Sequence, residues 1–462
     1  MEYIERNIDK ALKEWKNSRR RKPLLLRGAR QVGKSMSVRH LGESFDYYIE
    51  ANFEKRDELK ALFERTSDVH ELANFIGMLY QTPVIAGRTL IFLDEIQASP
   101  RAIKSLWFFK EDYPELHVVA AGSLLEFALK DISSFGVGRV HSLFVYPFSF
   151  DEFLCAQGKS MWVEAKQKAN SEAPLFDALY NDILQQYRTF LMVGGMPASV
   201  AAWVETHDYE QCQHELDDIQ ISYYDDFAKY AKKVNPVLLR RTLQGVVKQL
   251  GGKFVYSKVD GGFRTEEVKQ ALQMLSDAGI IKRVGHTAGN GLPLGAEGNA
   301  KLQKYIYLDS GLLLRFLDLD MGGARQMTDL IIVGTAEDLV NKGGLAEMVL
   351  GWELIKYNTP HTPHDLYYWE NTADGTTSEV DYIISRDMKV LPIECKAGMS
   401  GKMKSLRLFM RNKNLTNAVR CSLENFGIVE YVDTEVVRHV EICPLWAVSN
   451  LFINDNLDKI NL

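Results

Sequence analysis

The sequence predicts an α/β protein: a parallel-sheet domain with a phosphate-binding loop, a helical middle region and a second α/β unit at the C-terminal end. Three observations predict it. The apolar run Leu24-Leu25-Leu26 leads into Gly28-Ala29-Arg30-Gln31-Val32-Gly33-Lys34-Ser35, which matches the spacing G-x-x-x-x-G-K-[ST] at every fixed position. Strand and helix signals then alternate through position 123, the pattern of a parallel sheet with helices on both faces. Segments 379–384 and 390–396 read as a further pair of strands that place acids and a lysine at alternate positions.

Length and composition set the frame. At one domain per ~150 residues, 462 residues suggest about three units. Hydrophobic content of 46% and charged content of 25% are those of a globular protein, and a net charge of −6 excludes a global basic field for nucleic acid. Any such partner must be met by a local patch. The five scattered cysteines contain no C-x-x-C pair, which argues against a disulfide framework or a zinc ribbon. Met1-Glu2-Tyr3-Ile4-Glu5-Arg6 is no apolar signal core, and the chain has no run of 18 apolar residues. A cytoplasmic protein with no membrane partner is expected.

In chain order, Ile4, Ile8, Leu12 and Trp15 predict a helix that leads into Arg19-Arg20-Arg21-Lys22, a solvated turn. In the loop that follows, glycines let the backbone approach a polyphosphate, and Lys34 can reach its β and γ groups. Ser35 can ligate Mg²⁺. Residues 28–35 with the neighbouring Met36 form the candidate nucleotide-binding set. A second strand at 46–52 and helices over 55–80 come next. Thr89-Leu90-Ile91-Phe92-Leu93-Asp94-Glu95 is an apolar strand ending in two acids, with Asp94 on the metal side and Glu95 as the base that polarises water. Ser123 ends the strand 118–123, where it can sense the γ-phosphate or cap a helix. Arg139, in Gly136-Val137-Gly138-Arg139-Val140, is either a surface arginine or one that meets transition-state charge in cis or on a neighbouring subunit of a homo-oligomer.

Residues 151–236 look helical, broken by the tight turn Gly194-Gly195-Met196-Pro197, and read as a lid on the nucleotide domain. Residues 237–325 give the order of a winged helix: a helix near 238–250, a second from Thr265, then strands at 280–284 and 304–308 around a glycine-rich loop. The second helix exposes Glu266, Glu267 and Asp277 against Lys269, which suits a protein-facing role better than a phosphate backbone.

In the last segment, 326–462, strands at 367–369, 379–384 and 390–396 follow a helix over 344–357, with a polar turn through Asp374-Gly375. Two adjacent strands can present Asp381, Glu394 and Lys396 together, and Glu347 on the helix can add a third acid. That is an oxygen-rich site for Mg²⁺ or Mn²⁺ with a lysine to steady charge during phosphodiester attack. From Cys395 to Leu423 the charged residues are Lys396, Lys402, Lys404, Arg407, Arg411, Lys413 and Arg420, with no acid among them, the footprint DNA would need. His361-Thr362-Pro363-His364 reads as a loop and not a metal pair, because proline breaks the helical spacing.

With these motifs in hand, the chain resembles the bacterial and archaeal ATPases of the AAA/STAND-like group that join an AAA_14 nucleotide-binding domain to a DUF4143 domain. The resemblance spans essentially the full length. It rests on Gly28–Ser35, Leu93-Asp94-Glu95-Ile96-Gln97, Gly122-Ser123, Gly138-Arg139-Val140 and Tyr146-Pro147-Phe148-Ser149-Phe150-Asp151-Glu152-Phe153. Further along it rests on Gly194-Gly195-Met196-Pro197, Tyr307-Leu308-Asp309-Ser310-Gly311-Leu312, Glu379-Val380-Asp381 and Glu394-Cys395-Lys396. Leu124 and Met196 depart from the family pattern, where a second serine and an aromatic are common. The resemblance implies a P-loop NTPase parallel-sheet domain over 1–150 that binds ATP and Mg²⁺, and a nucleotide-linked Arg139. It also implies a winged-helix middle region and a restriction-endonuclease-like, PD-(D/E)xK α/β domain at the C-terminal end. Two readings follow: an ATPase that controls a nuclease-like domain acting on DNA, or a nucleotide-gated switch whose nuclease fold is an inactive scaffold.

Overall fold

The computed structural model describes residues 3–123, 125–131, 138–229, 234–317, 343–371, 378–396 and 403–452. Leu124, Gly136, Val137, Lys402, the turn at 374–375 and the expected domain boundary at 325–326 lie outside them. The chain divides into two compact units. One is Met1–Pro147 with Asp277–Gly279 and Thr359–Pro363; the other is Phe148–Ser276, Ile280–Asn358 and His364–Leu462.

The first unit is a parallel sheet between helices. Its elements are α1 (Asn7–Asn17), β1 (Leu24–Arg27), α2 (Lys34–Gly42), β2 (Tyr47–Asn52), α3 (Asp57–Arg65) and α4 (Val69–Tyr80). After them come β3 (Thr89–Asp94), α5 (Pro100–Asp112), β4 (His117–Ala121), α6 (Leu125–Asp131) and β5 (His141–Phe144). The strands lie in the order β2-β3-β4-β1-β5 and every neighbouring pair is parallel. Leu24, Leu25, Leu26 and all of β3 and β4 are buried, as strands covered on both faces must be. Helix starts carry ordinary chemistry: the Asp68 carboxylate accepts from the His70 and Glu71 N–H groups, and Ser99 caps α5 with Pro100 in its first turn. The sheet order is what builds a site. Because β4 lies between β1 and β3, the ends of β1, β3 and β4 come out side by side at one edge.

The second unit combines helices with an eight-stranded mixed sheet. The helices α7 (Phe150–Ala156), α8 (Ser160–Lys168), α9 (Asp177–Val193), α10 (Pro197–Thr206), α11 (Tyr209–Lys229), α12 (Pro236–Lys248) and α13 (Thr265–Asp277) come first. Then follow β6 (Ile281–His286), β7 (Gln303–Tyr307), α14 (Ser310–Phe316), α15 (Gly344–Lys356), β8 (Leu366–Asn371), β9 (Ser378–Arg386) and β10 (Lys389–Cys395). The unit closes with α16 (Lys404–Asn412), β11 (Asn417–Ser422), β12 (Gly427–Asp433) and β13 (Val436–Pro444). The sheet order is β12-β13-β11-β10-β9-β8-β6-β7.

Two expectations about organisation change here. The helical region, read as a lid, shares the core of the second unit: α9 packs on α14, and both α8 and α9 pack on residues 445–452. The hairpin β6–β7 has the antiparallel pairing expected of a wing, yet β6 also pairs in parallel with β8. One sheet therefore runs from the winged-helix-like order into the C-terminal strands. On α13, the exposed Glu266 pairs with Lys269, and the half-buried Glu267 pairs with Arg264 just before the helix.

The turn at 194–197 is fixed from far along the chain. Gly194 has φ +74°, and a Cβ there would lie 2.2 Å from Asp309 Oδ1. Asp309 accepts from the N–H groups of Gly195 at 2.6 Å and Leu312 at 3.1 Å, so one buried carboxylate joins two of the sequence motifs.

Candidate functional site

At the carboxyl edge of the first sheet, the loop after β1 folds into a concave run of backbone. Gly28 has φ +140°, Gln31 +65° and Gly33 +94°, and Gly33 opens α2. Only glycine fits at 28, where a Cβ would meet the Val145 carbonyl oxygen at 2.1 Å. Ala29 and Val32 are buried beneath the loop, Arg30 is half-buried, and Gln31 and Met36 face outward. Lys34 Nζ donates to the carbonyls of Gly28 at 2.9 Å and Ala29 at 2.7 Å. Burial lowers this ammonium to about 8.

The two acids ending β3 divide in role. Asp94 Oδ1 accepts from Ser35 Oγ at 3.3 Å and Oδ2 from Asn52 Nδ2 at 3.0 Å. Burial, then the neighbouring Glu95 charge, raises the Asp94 carboxyl above its ordinary range, a cost that a cation beside Ser35 would relieve. Glu95 turns the other way. It sits in the left-handed region at φ +51°, and its Oε2 accepts from Ser123 N at 3.1 Å, Ser123 Oγ at 3.1 Å and Gln97 Nε2 at 2.6 Å. Backbone strain of this kind persists where the surroundings hold it.

Arg139 lies elsewhere. It lies two residues before β5, which runs parallel to β1 with Leu24 opposite His141 and Arg27 opposite Phe144. The loop follows Arg27, so Arg139 stands at the opposite edge of the sheet, about 16 Å of strand away at roughly 3.3 Å per residue. There Nε pairs with Glu111 at 2.8 Å, and the guanidinium lies 4.2 Å from the centre of the Trp107 ring. A role in cis is not supported by this placement.

The second constellation forms where α15, β7, β9 and β10 meet. Asp381 Oδ2 accepts from Cys395 N at 2.7 Å, and Glu394 Oε1 pairs with Lys396 Nζ at 2.5 Å. Glu347 accepts from Lys304 Nζ at 2.9 Å, and the same ammonium lies 2.5 Å from Glu379. The strands do not follow the simple period of two expected of them. Tyr367 opposes Ile383 while Trp369 opposes Val380, so three steps of β9 match two of β8, and the irregularity carries Asp381. Such bulges re-aim side chains beside functional sites. Burial, then the Asp381 charge, raises Glu394 to about 7 against the pull of Lys396. Burial likewise raises Glu347, with Lys304 opposing it. The Glu394 Oε2 atom is buried with no hydrogen-bond partner among the described residues. Among the described residues no three His, Cys, Asp or Glu side chains are arranged to hold a metal ion, so the expected set of Glu347, Asp381 and Glu394 is adjacent but not preassembled.

Three family descriptions match the chain. Residues 20–154 match AAA_14, an AAA domain; residues 184–322 match DUF8612 and residues 342–447 match DUF4143, both domains of unknown function. The chain joins an AAA_14 domain to a DUF4143 domain. Among solved structures, the Walker-type ATPase PABY2304 of Pyrococcus abyssi is similar at 15% identity and a TM-score of 0.44, over 68% of this chain and 96% of that one. The Aeropyrum pernix ORC1 protein, solved in complex with DNA, matches at 13% identity and a TM-score of 0.27, over 69% of this chain and 92% of that one. No curated protein matches the chain. Among the described residues no helix is long and apolar enough to cross a membrane.

Within the AAA_14 domain the structure brings Lys34, Ser35, Asp94, Glu95 and Ser123 to one edge of the sheet. Sequence reasoning missed Arg6, whose guanidinium donates to the carbonyls of Val32 at 3.3 Å and Tyr146 at 2.8 Å and so ties the loop to the chain beyond β5. In the second unit it missed Lys304, which lies within the DUF8612 match and is an ordinary strand lysine by pattern. The basic stretch is thinner than its composition suggests. Arg420 is buried and pairs with Glu424 at 3.0 Å, and Arg411 pairs with Asp433 at 2.9 Å. Lys404 and Arg407 face outward from α16, Arg407 over the Tyr431 ring.

Proposed function

We propose that this protein is an Mg²⁺-dependent ATPase whose nucleotide state controls a nuclease-like C-terminal domain that binds DNA. The observation that carries the first part is the contact of Ser35 Oγ with Asp94 Oδ1 at 3.3 Å beside a Glu95 held by Ser123. The residues fit the ligands. Backbone N–H groups of 29–35 would hold a polyphosphate, Lys34 would exchange its two loop carbonyls for phosphate oxygens, and Ser35 with Asp94 would supply hard oxygens to Mg²⁺. Bound ATP and Mg²⁺ supply the phosphoanhydride and the neutralisation of its charge. Glu95 keeps Oε1 available to take a proton from water while Oε2 stays fixed. Arg139, at the far edge, would serve the nucleotide of a neighbouring copy.

The nuclease-like part is supported by Asp381, Glu394 and Lys396 on adjoining strands and by the outward Lys404 and Arg407. Phosphate release measured with Mg²⁺, and plasmid integrity measured with Mg²⁺ or Mn²⁺ and ATP, test the two halves separately. Nicking by the wild type that Asp381→Asn and Glu394→Gln abolish is expected. Plasmid left intact by all three would end the cleavage claim.

A second reading is favoured by two contacts of one residue: Lys304 already occupies Glu347 and Glu379. On it the C-terminal domain is an inactive scaffold for a protein or nucleic acid, and nucleotide changes assembly. Light scattering with and without a non-hydrolysable ATP analogue would show a change in mass; constant mass counts against it.

A further inference from the structure

Lys304 has no place in the expected acid-and-lysine pattern, yet it is the most deeply enclosed charge of the C-terminal cluster. Its side chain is 2% exposed, and Nζ lies 2.9 Å from Glu347 Oε1 and 2.5 Å from Glu379 Oε1. The Tyr368 ring stands 4.9 Å away and adds its negative face. Across the cluster the situation is reversed. Glu394 is 4% exposed, its Oε1 is taken by Lys396, and its Oε2 has no donor among the described residues. A buried carboxylate oxygen without a partner calls for a cation or a proton donor.

We propose that Lys304 is the resident cation of this cluster, and that it neutralises Glu347 and Glu379 while leaving Asp381 and Glu394 as the pair open to one hard divalent cation. The inference rests on the nuclease-like reading of the site. Four carboxylates, Glu347, Glu379, Asp381 and Glu394, face two ammonium groups, Lys304 and Lys396. One divalent ion completes the charge, and two carboxylates hold it weakly compared with a fuller oxygen set. Replacing Lys304 with a neutral side chain frees Glu347 and Glu379 to join the ion and removes a repelling charge.

The test is Mn²⁺ titration of the full chain without nucleotide, read from the paramagnetic resonance signal of free Mn²⁺. The wild type should bind one ion weakly at a site that Glu394→Gln removes. Lys304→Met and Lys304→Gln should bind at least tenfold tighter, still in a Glu394-dependent way. A neutral variant with unchanged circular dichroism that binds no tighter overturns the assignment of Lys304 and leaves the metal-site reading standing. Binding that ignores Glu394→Gln in every background overturns both. Should both neutral variants fail to fold, Glu379→Gln decides. Lys304 already holds that carboxylate, so affinity within twofold of wild type is expected, and a tenfold loss would make Glu379 a metal ligand and refute the proposal.

Discussion

Ser123 gives Glu95 two hydrogen bonds through a single carboxylate oxygen, its backbone N–H and its Oγ each 3.1 Å from Glu95 Oε2. The Glu95 carboxylate is thereby aimed by the strand next to its own. Glu95→Gln should keep ATP affinity within a few-fold and lower phosphate release by about a hundredfold or more, the usual worth of a positioned base. Ser123→Ala removes one of the two bonds and leaves the backbone donor. At about 1 kcal/mol for one hydrogen bond, phosphate release should fall roughly fivefold with unchanged ATP affinity. Retained turnover in the Glu95 variant would place the base elsewhere.

Lys34 should link nucleotide binding to pH. In the free loop burial lowers its ammonium to about 8, and the charge of bound phosphates raises it again. Above pH 8 the free chain has lost a proton that the bound chain retains, so binding takes up a proton. ATP affinity should weaken by about tenfold per pH unit above that point. Calorimetry at pH 8.5 in buffers of different ionisation enthalpy should show the uptake, and Lys34→Ala should lose binding. Binding enthalpy independent of the buffer would rule this coupling out.

Arg139 predicts a dependence on concentration. Its place at the amino edge, paired with Glu111, suits a contact with the nucleotide of another copy. Specific ATPase activity of the wild type should rise as protein concentration rises. Arg139→Ala should flatten that rise and leave ATP affinity unchanged. Activity per molecule that stays constant over two decades of concentration would remove Arg139 from the reaction.

Much of the first site was legible because its signals are local. The loop is one continuous motif, and Asp94, Glu95 and Ser123 each end an apolar strand, so a parallel sheet had to bring them to one edge. The order of strands was not legible, and it is the order that puts Ser123 against Glu95. The place of Arg139 was not legible, because its glycine-rich surroundings gave no hint of which end of β5 it would occupy. In the second site, Asp381, Glu394 and Lys396 were found from strand spacing, but the irregularity at Asp381 follows from pairing with β8 and leaves no mark on β9 itself. Lys304 and Asp309 were missed as partners because each meets its counterpart from distant chain: Glu347 lies 43 residues from Lys304, and Gly195 lies 114 from Asp309. Such pairs carry no periodicity.

Glu394 makes the C-terminal cluster sensitive to pH. Burial and the charge of Asp381 raise its carboxyl from an ordinary 4.5 to about 7, with Lys396 opposing. The folded chain then binds this proton more tightly than the unfolded chain. Stability from the neutral carboxyl is fully present below about pH 4.5 and is lost as pH rises through 7, because the unfolded state ionises freely. Glu347 shifts in the same direction and adds to the slope. Glu394→Gln fixes the neutral form at one of the two positions. The urea midpoint of the wild type should therefore fall relative to that of Glu394→Gln between pH 5 and pH 8, and should recover in part when Mn²⁺ is added at pH 8, since a cation at Oε2 stabilises the ionised carboxylate. Midpoints that stay a constant distance apart across the range would mean that the folded chain leaves Glu394 at its ordinary acidity.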